Sequence, residues 1–309
     1  MPHILHEPHP DADIAIGIMA HNEEGNIGHL LDGVVRQSVD ARIRRVIVMA
    51  DGCTDRTCDI VTEHAAADQR IELVARSERH GKVDAINRFI KMVDQPLCIV
   101  TSADLAFHPS MVERLTAPFA DPRIGVVGAR AVPINTPETF VGFTINLMWT
   151  LHHDVSLIEP KMGEICAFRN VIDGLDPMTL NDESAVQHEI ALRGYRAAYA
   201  PEALFQNCGP GNLRDFVEQR TRWIVANLSV QRDYNMSVPT MKSRHVLPAT
   251  LKYLRRDWRR AHWFAGAALV ELYARVRARA EFAAIGRRHG KFHVWKPIAT
   301  TKTIAEKKL

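Results

Sequence analysis

Carboxylates, amides and one lysine recur in short clusters along the chain, at residues 22–24 (Asn22, Glu23, Glu24), 51–55, 80–82 and 102–104. A later acid pair, Asp182 and Glu183, precedes a stretch of helical spacing that stops at Gly194. Gln219, Arg222 and Trp223 then follow at i, i+3 and i+4, on one helical face. Carboxylates in such places can accept from hydroxyls, hold a hard divalent cation or take a proton as a general base. Lys82 follows Gly81 at a helix start, where its charge and the helix dipole together suit an anion. Arg222 can fork onto an anion while the Trp223 indole stacks on a ring. Each residue also has a plainer use. Asn22, Glu23, Asp182 and Glu183 could cap helices, Asp51 and Asp104 could hold turns, Lys82 could be surface charge and Trp223 core.

These clusters need elements to bring them together. Residues 14–19, 45–49, 71–75 and 97–101 read as β-branched strands, and 26–37, 55–66 and 82–93 as the helices between them. That alternation implies right-handed crossovers and a parallel sheet, whose ligands sit outside the carboxyl ends of the strands. The four early clusters fall at those ends, so they are expected to converge on one crevice. Further on, 125–129, 164–169 and 197–200 read as strands, the last ending before Pro201. Residues 140–157, 183–193 and 213–231 read as helices.

Past Pro239 the composition shifts toward Arg and Trp, which divides the chain into an α/β domain at 1–240 and a basic helical extension at 241–309. The extension holds 17 Lys and Arg against 4 Asp and Glu, while the first 240 residues hold 22 against 32, so a net charge of +3 conceals opposite halves. A basic extension suits an anionic partner such as a membrane surface or a lipid diphosphate, or is a solvated face; nothing else in the sequence asks for nucleic acid. Residues 262–276 are the longest apolar stretch, but Glu271 interrupts them and they fall short of the roughly 20 residues a membrane span needs. An amphipathic helix at a membrane interface and a helix packed on the domain both fit. With 46% hydrophobic and 24% charged residues the chain reads as globular. Five cysteines without a CxxC exclude a disulfide framework or a cysteine zinc site. The first residues lack the basic-then-apolar pattern of a secretory leader, so a cytoplasmic location is expected, with the inner face of the membrane as its contact.

Five runs occur in an order that resembles glycosyltransferase family 2: IAIGIMAHNEEGNIGHLLDGVVRQS, VIVMADGCTDRTCDIV, SERHGKVDAINRFI, NDESAVQHEIALRGYRAAYAPEA and FVEQRTRW. The last is similar to the QxxRW pattern of the processive, polysaccharide-making branch, at Gln219, Arg222 and Trp223, and the resemblance covers about residues 13–235. It implies a GT-A-like fold, a doubly wound and mostly parallel sheet followed here by the basic helical tail. It also implies inverting transfer of a sugar from a nucleotide-diphosphate donor, UDP-GlcNAc or UDP-glucose, to a hydroxyl acceptor that is soluble or lipid-linked, with Mg2+ or Mn2+.

By the same resemblance, Asn22, Glu23 and Asp51 would hold the base and ribose, and Lys82 the diphosphate, with Asn87 beside it on the same helix. Ser102, Ala103 and Asp104 stand in the place of the family's DxD motif, with Asp104 as the metal ligand. Glu183, counted back from Gly194, would be the base, with Asp182 second. Arg222 would meet the diphosphate, Trp223 would stack on a sugar, and Gln219 shares their face. The chain departs from the pattern at Ala50, where the family has a second acid, and at Ser102. His152, His153 and residues 161–169 would line the acceptor side. Adjacent histidines on a helix point about 100° apart, which argues against a zinc pair. Without the membrane helices of the processive branch, transfer of one or a few sugars is expected. Two alternatives stand beside this reading: a non-catalytic nucleotide-sugar-binding subunit, favoured by Ala50 and Ser102, and a sugar nucleotidyltransferase. The latter's signature loop is rich in Gly and basic residues, whereas AHNEEGN is acidic.

Overall fold

A computed structural model describes residues 12–285. Residues 1–11, on which the expectation of no secretory leader rests, and 286–309, the end of the basic extension, lie outside the described residues. The first half alternates β1 (Ile14–Ala20), α1 (Ile27–Val35), β2 (Ile43–Asp51), α2 (Thr57–Ala67), β3 (Ile71–Arg76), α3 (Lys82–Met92) and β4 (Leu97–Ser102). It continues through β5 (Leu105–Phe107), α4 (Met111–Thr116), β6 (Ile124–Pro133), α5 (Phe140–Ile158) and β7 (Ile165–Arg169). The remaining elements are α6 (Asp182–Leu192), β8 (Arg196–Asn207), α7 (Leu213–Tyr234), α8 (Ser243–Arg256) and α9 (Ala261–Ile285).

One eight-stranded sheet runs β3-β2-β1-β4-β7-β6-β8-β5. Its first four strands are parallel, β7 is antiparallel to both neighbours, β8 is parallel to β6, and β5 is an antiparallel edge. The expected α/β class with a mostly parallel sheet therefore holds. Burial on both faces explains why β1 is apolar along its length rather than alternating. Ile14, Ile16 and Ile18 pack with Leu30, Leu31 and Val34 of α1, while Ala15 and Met19 face Ala85, Ile86 and Phe89 of α3. Between them Gly17 lets α3 come close, since a Cβ there would lie 2.7 Å from Phe89 Cγ.

One expectation is corrected and two short elements are added. The strand read at 197–200 continues to Asn207: Pro201 sits where the β6 register slips from Ala129↔Ala200 to Arg130↔Leu204, an irregularity that spares proline a ladder bond. The short β5 and α4 carried no periodic signal and were not anticipated. In the extension, residues 262–276 lie within α9. Trp263 packs edge-on against Phe143 at 5.3 Å, and Ala274 and Ala278 pack with Ile224 and Val225 of α7. Arg220 of α7 grips Glu271 through two bonds of 2.7 and 2.9 Å, and Arg275 adds a third at 2.7 Å. Among the described residues no helix is long and apolar enough to cross a membrane.

Candidate active site

The loops at the carboxyl ends of β1, β2 and β3 are tied to one another by the polar side chains singled out above. Asn22, at a positive φ of 54° that asparagine tolerates, accepts from the Thr54 N–H at 2.7 Å and so joins the β1 loop to the β2 loop. Glu23 accepts from the Asn26 side-chain amide at 2.9 Å, and its backbone N–H donates to Thr57 Oγ1 at 2.8 Å. Asp51 is nearly buried, and its carboxylate accepts from the backbone N–H groups of His80 and of Gly81, the latter at 2.6 Å. It thereby fixes the turn that launches α3, where Gly81 takes a φ of 101° open to glycine.

Lys82 then opens α3 and points to the start of α6. Its Nζ lies 2.8 Å from Asp182 Oδ2 and 3.2 Å from Glu183 Oε1. The capping use considered for this acid pair falls instead to Asn181, whose Oδ1 accepts from the Ser184 N–H at 2.9 Å. Both carboxylates therefore sit in the first helical turn, largely removed from solvent. Burial and the Asp182 charge push the Glu183 carboxyl above its ordinary value, against the opposing pull of Lys82 and Lys161. Burial works against the Lys82 ammonium too, but the two carboxylates outweigh it and raise its pKa.

A cavity of about 790 Å³ opens beside this cluster, walled by Lys82, Ser102, Asp182 and Glu183 together with Gln219, Arg222 and Trp223. Trp223 packs edge-on against Trp149 at 5.8 Å, and Arg222 pairs with Glu218 one turn back. His152 also faces the cavity. Burial holds its pKa well below the ordinary histidine value, whereas His153 turns away to Tyr199 at 3.0 Å, as adjacent helical positions require. Asn22, Glu23, Asp51, Asn87 and Asp104, the expected metal ligand, are not in this wall. Asn87 differs most from expectation: its amide donates to Leu175 O at 2.9 Å and accepts from the Leu175 N–H at 2.6 Å, pinning the loop that leads to α6.

One acid emerged from the fold rather than from the motifs. Glu164 precedes β7, which pairs with β4 through Thr101↔Ile165, so the next step along the ladder sets Glu164 beside Ser102. It accepts from Asn207 Nδ2 at 2.7 Å, and burial with the Asp104 charge pushes its carboxyl up to about 8. Among the described residues no group of three or more His, Cys, Asp or Glu is placed to hold a metal ion. Asp104 and Glu164 offer hard oxygen donors, and the Asp104 charge is felt at the Glu164 carboxyl. That set fits a divalent cation whose remaining ligands come from a diphosphate.

Comparison with known proteins gives a consistent answer. A family model described as glycosyl transferase family 2 matches residues 15–186, more than half of the chain. An N-acetylglucosaminyltransferase of Rhizobium sp. (strain N33) is 22% identical over 248 residues, covering 74% of this chain and 53% of that protein. A poly-beta-1,6-N-acetyl-D-glucosamine synthase of Staphylococcus aureus (strain MSSA476) is 26% identical over 244 residues, covering 73% of this chain and 57% of that one. The chain thus spans little more than half the length of these relatives. Among solved structures, the mannosyltransferase PcManGT from Pyrobaculum calidifontis, in complex with GDP-Man and Mn2+, superposes with a TM-score of 0.58 at 22% identity. The match covers 92% of this chain and 78% of that one, a likeness of fold.

Proposed function

The chain belongs to glycosyl transferase family 2, and from that premise we propose that it transfers a sugar from UDP-GlcNAc or UDP-glucose to a hydroxyl acceptor with inversion at the anomeric carbon. The observation that carries this reading is the meeting of Lys82, Asp182, Glu183, Gln219, Arg222 and Trp223, drawn from three separate helices, around one cavity. In the proposed reaction the acceptor oxygen bonds to the anomeric carbon as the bond from that carbon to the diphosphate oxygen breaks. The electron pair departs on the nucleoside diphosphate, and the hydroxyl proton passes to the Glu183 carboxylate. Burial makes Glu183 a stronger base than a solvated carboxylate, and Lys82 and Lys161 moderate the shift.

Asp182 holds Lys82 against the same site, and Arg222 and Lys82 are suited to the diphosphate charge. Asp104, with Glu164, would hold Mg2+ or Mn2+, which when bound supplies positive charge to the leaving group. Asn22, Glu23 and Asp51 shape the loops expected to receive the base and ribose, so their contribution to donor binding runs through that loop geometry. Gln219 and Trp223 would order the acceptor ring. We also propose that the C-terminal helices rest on an anionic membrane. Trp258, Leu269, Leu272, Tyr273 and Val276 are exposed there, close in sequence to Arg255, Arg256, Arg259 and Arg260.

Glu183→Gln tests the core of the proposal. Turnover, followed as UDP release from UDP-GlcNAc or UDP-glucose with Mn2+, should fall by about 10²–10⁴-fold, the usual contribution of a general base, while UDP affinity stays within about twofold. Full activity in this variant would remove Glu183 from the reaction. Absence of UDP release from every nucleotide sugar tried with the unaltered protein would favour a binding subunit.

A further inference from the structure

The cavity beside the acid pair is lined by α5, α8 and α9 as well as by the helices that carry the polar residues. Leu147 and Met148 of α5, Val246 and Leu247 of α8, and Ala267 and Ala268 of α9 line it, with Thr144, Ser243, Thr250, Glu271 and Arg275 of the same helices among them. The chamber is therefore polar and charged where Glu183 sits and mixed, with a run of aliphatic side chains, where the C-terminal helices meet it. α8 is 14 residues long, yet none of its residues is buried. It contributes Ser243, Val246, Leu247 and Thr250 to the lining of the chamber. Protein interiors pack closely, so a chamber left open in this way signals a ligand site, and about 790 Å³ lies within the range of small-molecule pockets.

Resting on the glycosyltransferase reading, we propose that this chamber binds the apolar portion of an amphipathic acceptor, one whose hydroxyl-bearing end reaches Glu183 while a hydrocarbon chain or ring lies against α5, α8 and α9. Small residues at 267 and 268 leave room for that group, and Leu247, partly open to solvent, marks where it enters. The chemistry selects acceptors by their hydrophobic part as well as by the hydroxyl that is glycosylated. A short, fully hydrated saccharide would leave the aliphatic side chains facing water.

Binding can be read without donor or turnover, because Trp149 and Trp223 lie in the chamber wall and report through their fluorescence. Octyl β-D-glucoside below its micelle concentration and methyl β-D-glucoside share a head group and differ only in the chain. The octyl compound is expected to bind at least about tenfold more tightly, because its added methylenes leave water. Ala267→Phe, which fills the chamber, should remove most of that preference. Leu247→Asp, at a position exposed enough to leave folding intact, should do the same, with circular dichroism and thermal melts confirming the fold of both. Equal affinity for the two glucosides, or an undiminished octyl preference in both variants, would overturn the proposal. Octyl-selective binding in a protein that releases no UDP from any nucleotide sugar would refute the catalytic reading and leave the chamber's specificity standing.

Discussion

Asn87 shows how a residue close to a reacting group can act without touching a ligand. Its amide satisfies both main-chain groups of Leu175, and that loop leads into Asn181, Asp182 and Glu183. Asn87→Ala would leave both groups without their partner and should cost about 1–3 kcal/mol, measured by urea unfolding. A raised donor KM at unchanged stability would instead return Asn87 to the donor site. That Lys82, Asp182 and Glu183 lie together was legible, because their types and their places at helix starts pointed to one crevice, whereas Glu23, Asp51 and Asp104 are not in the cavity wall. Glu164 was read only as part of the 161–169 stretch on the acceptor side, not as an acid beside Ser102, and the capping role of Asn181 was not read at all. Glu164 matters because β7 runs antiparallel beside β4, a pairing that residues so distant in sequence do not announce. Asn181 takes the cap because the helix starts one residue earlier than its apolar spacing suggests.

Among the elements, α7 and α9 are joined by a group whose ionisation differs between the folded and unfolded chain. Burial works to raise the Glu271 carboxyl, but Arg220 and Arg275 overcome it and bring it down to about 2, against an ordinary value of 4.5. A depressed carboxyl stabilises the fold above its unfolded value, and that contribution is lost as pH falls from about 4.5 through 2. Glu271→Gln should therefore lose about 2 kcal/mol at pH 7, and the gap from the unaltered protein should narrow as pH approaches 3. A gap independent of pH in denaturant titrations would show that the charge is not what joins the helices. The early βα units were readable because their strands are continuous apolar runs. The β8 extension was hidden by Pro201, since a proline ordinarily ends a strand and only the register slip against β6 accommodates it here.

At the scale of the molecule, the charge asymmetry gives a test of location. The stretch 241–309, carrying 17 Lys and Arg beside 4 Asp and Glu, should draw the chain to anionic bilayers. Co-sedimentation should favour vesicles containing phosphatidylglycerol over pure phosphatidylcholine, and raising salt to about 0.5 M should reduce the bound fraction several-fold, because screening shortens the reach of these charges. Equal binding to both vesicles would assign the basic residues to a solvated face. The parallel half of the sheet and the order of the motifs were legible throughout, whereas the packing of α8 and α9 onto the domain was left open, because an amphipathic helix presents the same pattern to a bilayer as to a protein.

The missing side chain at Gly17 ties the middle of the sheet to the chemistry at its edge. Phe89 occupies the space a methyl group would take, and seven residues back along the same helix stands Lys82. A methyl group at position 17 would push on that ring and, through a stiff helix, on the ammonium that faces the two carboxylates. Overpacking at the centre of the first strand would then be felt at the acid pair as well as in the stability of the fold.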